Sequence, residues 1–265
     1  MKRRSRFGEI TGHVGVKYAF ADPDFSGKSD PDLECKHVPR SNMLAITHYF
    51  RDSGVDRTAI ASLDRLPCTR IEAKLLKEEI GGSVLEGPDA RESKLRNPEI
   101  LRKMANAEIV AFATHGLVSG DLGLGEPGLA LAAPLPDESS DDGVLTASEI
   151  SKLKLKADWV LLSACNTASP DAIDAEGLSG LSRAFFFAGA RGVLVSHWRV
   201  NDGATSALVS RMVKLRNAGA GKAQAVQQAT LDMLNGRIGS SDENSKNLAA
   251  HPSIWAPFTI MGDPR

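Results

Sequence analysis

The sequence predicts an α/β protein built on a parallel sheet. Two short runs are apolar throughout, residues 109–113 and 159–162, as expected for strands buried on both faces. Helix-patterned segments separate these runs from further strand candidates, an alternation typical of parallel sheets. Because ligands bind at the carboxyl ends of the strands in such sheets, we expect the functional residues to follow these runs.

Composition excludes several classes of protein. The chain has 265 residues, 42% of them hydrophobic and 25% charged, which is ordinary for a soluble globular protein with a full core. The formal net charge of −1 argues against nucleic acid as a partner. No apolar stretch approaches the roughly 18 residues of a membrane span, and no signal-peptide core follows the basic start.

The cysteines predict a reducing location. Cys35, Cys68 and Cys165 are an odd number at wide spacing, which gives neither a disulfide framework nor a zinc-binding pattern. We therefore expect a cytoplasmic protein in which Cys165, at the end of an apolar strand, is a candidate nucleophile.

The amino-terminal half alternates helix and strand patterns. Residues 1–65 form an amino-terminal segment with a strand candidate at 14–20 that could be the first strand of the sheet. Residues 69–80 predict a helix with Ile71, Leu75, Leu76 and Ile80 on one face. A strand at 83–85 follows, then one or two helical segments over 88–106 with a break at Pro98, then the run 109–113.

The carboxyl-terminal half continues the pattern. A glycine-rich loop at 116–128 precedes an apolar run, an acidic loop and a capping box formed by Thr146 and Glu149. After the run 159–162 we expect a helix at 176–190, whose aromatic residues 185–187 pack in the core. A strand at 192–195, helices at 202–216 and 220–235, and a strand at 258–261 complete the prediction.

A thiol and an imidazole follow the two apolar runs. His115-Gly116 comes after the first run and Cys165 after the second, so neighbouring strands would bring a nucleophile and its base together. The backbone amides of Gly116 and Cys165 are candidates for an oxyanion hole, in which one donor contributes about 3 kcal/mol. A histidine fifty positions before the cysteine matches the caspase arrangement, although Ser-Ala-Cys-Asn-Thr replaces the caspase signature.

Several ordered motifs resemble those of the CHAT domain family. They include Ala-Thr-His-Gly at 113–116, Leu-Ser-Ala-Cys-Asn-Thr at 162–167 and Ser-His-Trp-Arg-Val-Asn-Asp at 196–202, within a resemblance that covers 66–262. It implies a domain at 66–265 with a caspase-like fold, a mostly parallel sheet between helices on both faces. It also implies a cysteine endopeptidase without metal or cofactor, with His115 as base and acid and Cys165 as nucleophile.

The resemblance also sets expectations for partners and substrate. Such domains often follow tetratricopeptide repeats in bacteria. No repeat precedes this one, so we expect an activating or tetratricopeptide-repeat partner from another chain. We also expect the substrate of the peptidase to be a protein. Related metacaspases bind basic side chains with an aspartate two residues before the nucleophile, where this chain has Ser163. Asp121 or Asp202 could supply that acid, and the other candidate pocket residues are Asn166, His197 and Trp198.

Two alternatives to a peptidase stay open. A CHAT module can keep both residues and serve only as an interaction scaffold. Another thiol hydrolase or acyltransferase could share the sheet, although Cys165 lacks a Gly-x-Ser-x-Gly-type elbow. Asp174 and Glu176 could orient His115, but carboxylates near a helix start also favour the helix dipole.

Overall fold

A six-stranded, mostly parallel sheet forms the centre of the fold. The computed structural model describes residues 17–27, 35, 60–78, 81–136, 141–163, 176–198, 202–239 and 250–265, except for the side chains of 78, 122, 176–179 and 202. The strands are β1 (Lys17–Pro23), β2 (Ser83–Gly87), β3 (Ile109–Ala113), β4 (Gly116–Leu117), β5 (Gly128–Ala130), β6 (Val144–Thr146), β7 (Trp159–Leu162), β8 (Gly192–Ser196) and β9 (Phe258–Gly262).

Helices separate the consecutive strands of the main sheet along the chain. They are α1 (Thr69–Glu78), α2 (Pro98–Ala105), α3 (Ala147–Ile150), α4 (Glu176–Ala188), α5 (Asp202–Asn217), α6 (Lys222–Leu234) and α7 (Pro252–Trp255). Short 3₁₀ helices span Glu92–Arg96 and Asp121–Gly123. The break predicted at Pro98 is confirmed, because Pro98 is the first residue of α2.

The strand order of the main sheet is β2-β1-β3-β7-β8-β9. All its neighbouring pairs are parallel except β8 and β9, which are antiparallel at one edge. A separate antiparallel sheet joins β4, β5 and β6. The sequence analysis predicted none of these three strands, because strands of two or three residues show no periodicity.

Helices cover both faces of the main sheet. Side chains alternate between the faces along each strand, so Phe112 and Val160 pack with α2 and α4 while Trp159 and Leu161 pack with α1, α5 and α6. The predicted α/β class, a mostly parallel sheet between two helical layers, is confirmed.

A cluster of ion pairs around Asp158 lies at the amino-terminal ends of β7 and β8. Asp158, directly before β7, accepts hydrogen bonds from Arg216 Nη2 (2.7 Å) and Lys222 Nζ (2.8 Å). The Lys222 side chain is fully buried. Arg191 lies 3.5 Å from Asp158 and also pairs with Asp263 near the carboxyl end. This cluster connects α5, α6 and the last residues to the sheet.

Three side chains that the sequence placed in the core lie at the surface. Phe185 is buried on the sheet side of α4, but Phe186 is partly exposed and Phe187 is 81% exposed. Successive helical residues point about 100° apart, so three in a row cannot all face the sheet. Ile71 is 53% exposed, because α1 turns Ala73, Leu75 and Leu76 inward instead.

A disulfide joins Cys35 to Cys68, whose Cα atoms are 4.6 Å apart. The prediction that the cysteines form no disulfide is therefore wrong. The two residues are 33 positions apart, and spacing alone does not reveal that the fold brings them together. The cysteine-based argument for a reducing, cytoplasmic location no longer holds.

Candidate functional site

The carboxyl ends of four neighbouring strands bring candidate residues to one edge of the sheet. β3 and β7 pair in parallel, from Ile109 opposite Trp159 to Phe112 opposite Leu162, so the residues after both strands leave at the same edge. β1 and β8 flank this pair. His115 follows β3 and Ser163 follows β7. Cys165 and Asn166 lie outside the described residues.

The His115 ring is buried and held by a backbone carbonyl. Its side chain is 3% exposed, and its Nε2 lies 2.7 Å from the carbonyl oxygen of Asp64. A carbonyl oxygen can only accept, so Nε2 carries the proton in this hydrogen bond. The lone pair of the neutral ring is then on Nδ1. The Phe25 ring packs against the imidazole at a centroid distance of 5.4 Å.

The segment carrying Asp64 is anchored by apolar contacts. Ile60 and Leu63 are buried in a small cluster with Phe25, Leu117 and others. The sequence analysis did not find Asp64 and left Asp174 and Glu176 as candidates for orienting His115. Every residue has a backbone carbonyl, so no residue type could have marked this position.

Gly116 begins β4 and is paired with β5. It lies opposite Leu129, and the Ala130 amide donates to the His115 carbonyl at 2.9 Å. The Thr114 hydroxyl donates to the Ala130 carbonyl. These bonds fix the backbone on both sides of the His115 side chain.

Ser163 is connected to a buried carboxylate. Its hydroxyl donates to Glu72 Oε1 at 3.0 Å, and both side chains are almost fully buried. Glu72 belongs to α1, on a distant part of the sequence. The position two residues before Cys165 is thus in contact with an acid that the sequence analysis did not single out, although its segment 66–72 resembles the family.

Candidate pocket residues differ in their surroundings. His197 and Trp198 follow β8: His197 Nε2 lies 3.1 Å from Thr259 Oγ1, and the partly exposed Trp198 donates from Nε1 to the Ser253 carbonyl at 2.9 Å. Asp121 accepts from the Val118 amide at 2.9 Å and so closes its own turn. The pKa of Asp121 is raised above its usual value because its carboxyl group is buried, and the Val118 hydrogen bond opposes this shift only in part.

Asp202 begins α5, and its side chain is not among those described.

Within the described ranges, no group of three or more His, Cys, Asp or Glu residues is arranged to hold a metal ion. The helices in the described part of the chain are all too short or too polar to cross a membrane.

Comparison with known proteins establishes the family. A sequence model of the CHAT domain matches residues 3–263. The chain belongs to the CHAT domain family. This CHAT domain is 28% identical over 229 residues to tetratricopeptide repeat protein 28 of Mus musculus, and 26% identical over 225 residues to the Homo sapiens protein of that name. The alignments cover 74% of this chain but 8% of each relative, so the chain spans a small part of their length.

Solved structures also match the CHAT domain, and one of them is that of a proteinase. It is the crystal structure of gingipain R, described as an Arg-specific cysteine proteinase, with 10% sequence identity and a TM-score of 0.48. The match covers 97% of this chain and 48% of gingipain R.

Proposed function

We propose that this CHAT domain is a cysteine endopeptidase in which His115 is the base and acid and Cys165 the nucleophile. The observation that supports this most is the bond from His115 Nε2 to the Asp64 carbonyl, which leaves Nδ1 as the proton acceptor. The ring follows β3, the direct neighbour of β7. Cys165 comes two residues after Ser163, where β7 has ended.

The reaction begins with transfer of the Cys165 thiol proton to His115 Nδ1. A free thiol has a pKa near 8.5, so an adjacent base increases the thiolate fraction at neutral pH. The sulfur then attacks the carbonyl carbon of the scissile peptide bond. The resulting oxyanion accepts hydrogen bonds from the amides of Gly116 and Cys165.

Breakdown of this intermediate needs the same proton. His115 gives it to the leaving amine as the carbon–nitrogen bond breaks, a step worth about 10²- to 10⁴-fold in rate. Water then attacks the thioester with His115 again as base, which releases the carboxylic acid and restores the thiol. Throughout, the Asp64 carbonyl keeps the ring oriented and accepts from Nε2–H when His115 is charged.

The substrate in this proposal is a protein. The side chains proposed to meet it are Ser163, with Glu72 behind it, together with Asn166, His197, Trp198, Asp121 and Asp202. The relatives are named for tetratricopeptide repeats, which supports regulation by such repeats, supplied by a partner chain or elsewhere in the same protein.

Covalent labelling tests the dyad directly. A peptide acyloxymethyl ketone should alkylate Cys165, and His115→Ala should slow labelling by about 100-fold or more because the thiol loses its base. Mass spectrometry of the modified peptides locates the label. Cys35 and Cys68 provide an internal reference, since their disulfide has no thiol to alkylate. His251→Asn, which keeps the cap of α7, is the matched histidine control and should label like the wild type.

Other outcomes would select the alternatives. If Cys165 in the folded protein reacts no faster than in urea-unfolded protein, the dyad is absent and the scaffold interpretation is correct. Turnover of small thiol-reactive esters without cleavage of a peptide library would indicate another thiol hydrolase. Mapping of new amino termini in cells, comparing wild type with Cys165→Ala, would identify the substrate.

A further inference from the structure

We propose that Asp22 is a positioning residue for the base: it holds the segment whose Asp64 carbonyl orients His115. This inference rests on the proposed function, because it gives Asp22 a part in presenting Nδ1 of His115 to a thiol. Asp22 lies near the carboxyl end of β1, the strand next to β3, and its side chain is fully buried.

The backbone at Asp22 departs from a regular strand in two ways. Its φ of 43° lies in the left-handed region, which costs energy for any residue other than glycine. The pairing of β1 with β2 also changes register between Ala21 and Pro23, so Asp22 is the extra residue of a β-bulge. A bulge redirects the side chain it carries, and here the Asp22 carboxylate contacts residues 65–70.

The Asp22 carboxylate binds two arginines and a backbone amide. Arg65 donates from Nε to Oδ1 at 2.9 Å and from Nη2 to Oδ2 at 2.6 Å. The Arg70 Nε lies 2.6 Å from Oδ2, and the Leu66 amide donates to Oδ1 at 3.2 Å. The Asp22 amide in turn donates to Thr69 Oγ1 at 2.9 Å. One residue therefore fixes the whole turn before α1.

These contacts determine the direction of the Asp64 carbonyl. That carbonyl and the Arg65 amide belong to one planar peptide unit, and the Leu66 amide, one residue further on, is held by Asp22 Oδ1, so Asp22 restrains the backbone that follows the carbonyl. On the other side, Leu63 and Ile60 hold the chain in the apolar cluster with Phe25. Asp64 thus lies between an apolar anchor and an ionic anchor, and its carbonyl is fixed 2.7 Å from His115 Nε2.

An ion pair at this position contributes direction more than stability. Desolvation of a buried carboxylate offsets much of its attraction to a guanidinium, and an apolar contact of the same size would stabilise the segment about as well. A two-bond pair between Arg65 and Asp22, by contrast, defines the angle between the groups it joins. Together with the Leu66 amide bond, this pair holds the turn in which the Asp64 carbonyl faces His115.

Asp22→Asn isolates this role. Asparagine tolerates the left-handed backbone conformation and keeps the shape of the side chain, so the variant removes the charge and replaces one acceptor oxygen with an NH2 group that cannot accept from the arginines. Arg65→Lys is a second variant, which keeps the positive charge but cannot form both bonds. Both are compared with the full-length wild-type chain.

The chain offers a matched control at the amino-terminal ends of the strands, opposite the end where His115 lies. Asp158→Asn likewise neutralises a largely buried carboxylate that has several cationic partners, Arg216 and Lys222 among them. It should lower stability in urea unfolding, as Asp22→Asn should, but Asp158 has no contact with the segment 60–70. A difference between the two variants therefore separates positioning from stability.

Two measurements report on the His115 ring and on the thiol. The first is the proton-exchange rate of His115 Nε2–H in ¹⁵N-histidine-labelled protein, whose resonance is assigned by its loss in His115→Gln. The second is the alkylation rate of Cys165 by iodoacetamide across pH 5–9. Asp22→Asn should accelerate exchange and slow alkylation at neutral pH by about 10- to 100-fold, with Arg65→Lys intermediate and Asp158→Asn within about twofold of wild type.

Either of two results would overturn the assignment. One is that His115 Nε2–H exchange and Cys165 alkylation proceed at the wild-type rates in Asp22→Asn and Arg65→Lys. The other is an equal change in Asp158→Asn, which would show that loss of stability alone is responsible. If wild-type Cys165 proves unreactive, the proposed peptidase fails, but the exchange rate of Nε2–H still decides whether Asp22 positions His115.

Discussion

At the scale of single residues, Glu92 has unusual surroundings. Its carboxylate is buried, accepts from Arg96 Nη2 at 2.6 Å and lies near Asp141. Burial, followed by the charges of Asp141 and Glu149, raises the pKa of Glu92 to about 7. The folded protein therefore holds a proton that the unfolded chain releases at lower pH.

This proton predicts a pH dependence of stability. Between about pH 4.5 and 7 the folded state binds more protons at Glu92 than the unfolded state, so the free energy of unfolding should fall as pH rises, by about 2–3 kcal/mol. Urea unfolding across this range should show the fall in the wild type and a flatter profile in Glu92→Gln. Glu99→Gln, at an exposed carboxylate of α2, should keep the wild-type profile. An identical slope in Glu92→Gln would contradict the prediction.

The parts of the candidate site that could be predicted from the sequence are those that depend on residue type. His115 and Gly116 were predicted as site residues because their types and their places after an apolar run carry chemical meaning, and Ser163 because of its position in the motif that resembles the family. Asp64 acts through a backbone atom and Asp22 through a bulge in β1. Neither a carbonyl nor a bulge has a pattern in a single sequence, so these two contributions required coordinates.

At the scale of elements, α3 shows how a local signal fixes a short helix. The predicted capping box is confirmed: Thr146 accepts from the Glu149 amide, and the Glu149 carboxylate accepts from the Thr146 amide at 2.9 Å. A helix of four residues cannot persist through its own hydrogen bonds. The cap and the burial of Ile150 hold it in place.

Removing the cap should have a measurable cost. Thr146→Ala leaves an amide at the start of α3 without its acceptor, so the free energy of unfolding should fall by about 1 kcal/mol. Chemical denaturation measures this difference. Ser151→Ala, which removes an exposed hydroxyl that donates to the Ser148 carbonyl, is the control and should have a smaller effect. Equal effects in the two variants would show that the box does not stabilise α3.

Prediction of the strands succeeded where every residue of the strand is buried, and it failed for the short strands of the small sheet. The runs 109–113 and 159–162 became β3 and β7 with the predicted bounds, because strands buried on both faces have no polar positions. The short strands β4, β5 and β6 gain their pairing from distant neighbours and show no such signal. Phe187 is exposed because α4 has one buried side only.

At the scale of the whole molecule, the disulfide joins distant parts of the chain. Cys35 is exposed, Cys68 is buried before α1, and the two are separated by 33 positions. A cross-link of this span restricts the unfolded chain, and by chain-entropy reasoning it stabilises the fold by about 3–4 kcal/mol.

Reduction should therefore destabilise the protein. Dithiothreitol should lower the urea midpoint of the wild type, whereas a Cys35→Ser, Cys68→Ser double variant should already have the lower midpoint and show no further change. Cys165→Ser is the control and should respond to reductant like the wild type. A wild-type midpoint that is insensitive to reductant would rule out a stabilising cross-link.

The buried ion cluster around Asp158 has a consequence for how this molecule can change. It lies at the amino-terminal ends of the strands, while His115 and its neighbours lie at the carboxyl-terminal ends, with a full strand length between them. Loops at the carboxyl-terminal ends of the strands can change in sequence and length without contact with the Asp158 cluster at the amino-terminal ends. The stability contributed by the Asp158 cluster can therefore change while the residues around His115 stay as they are.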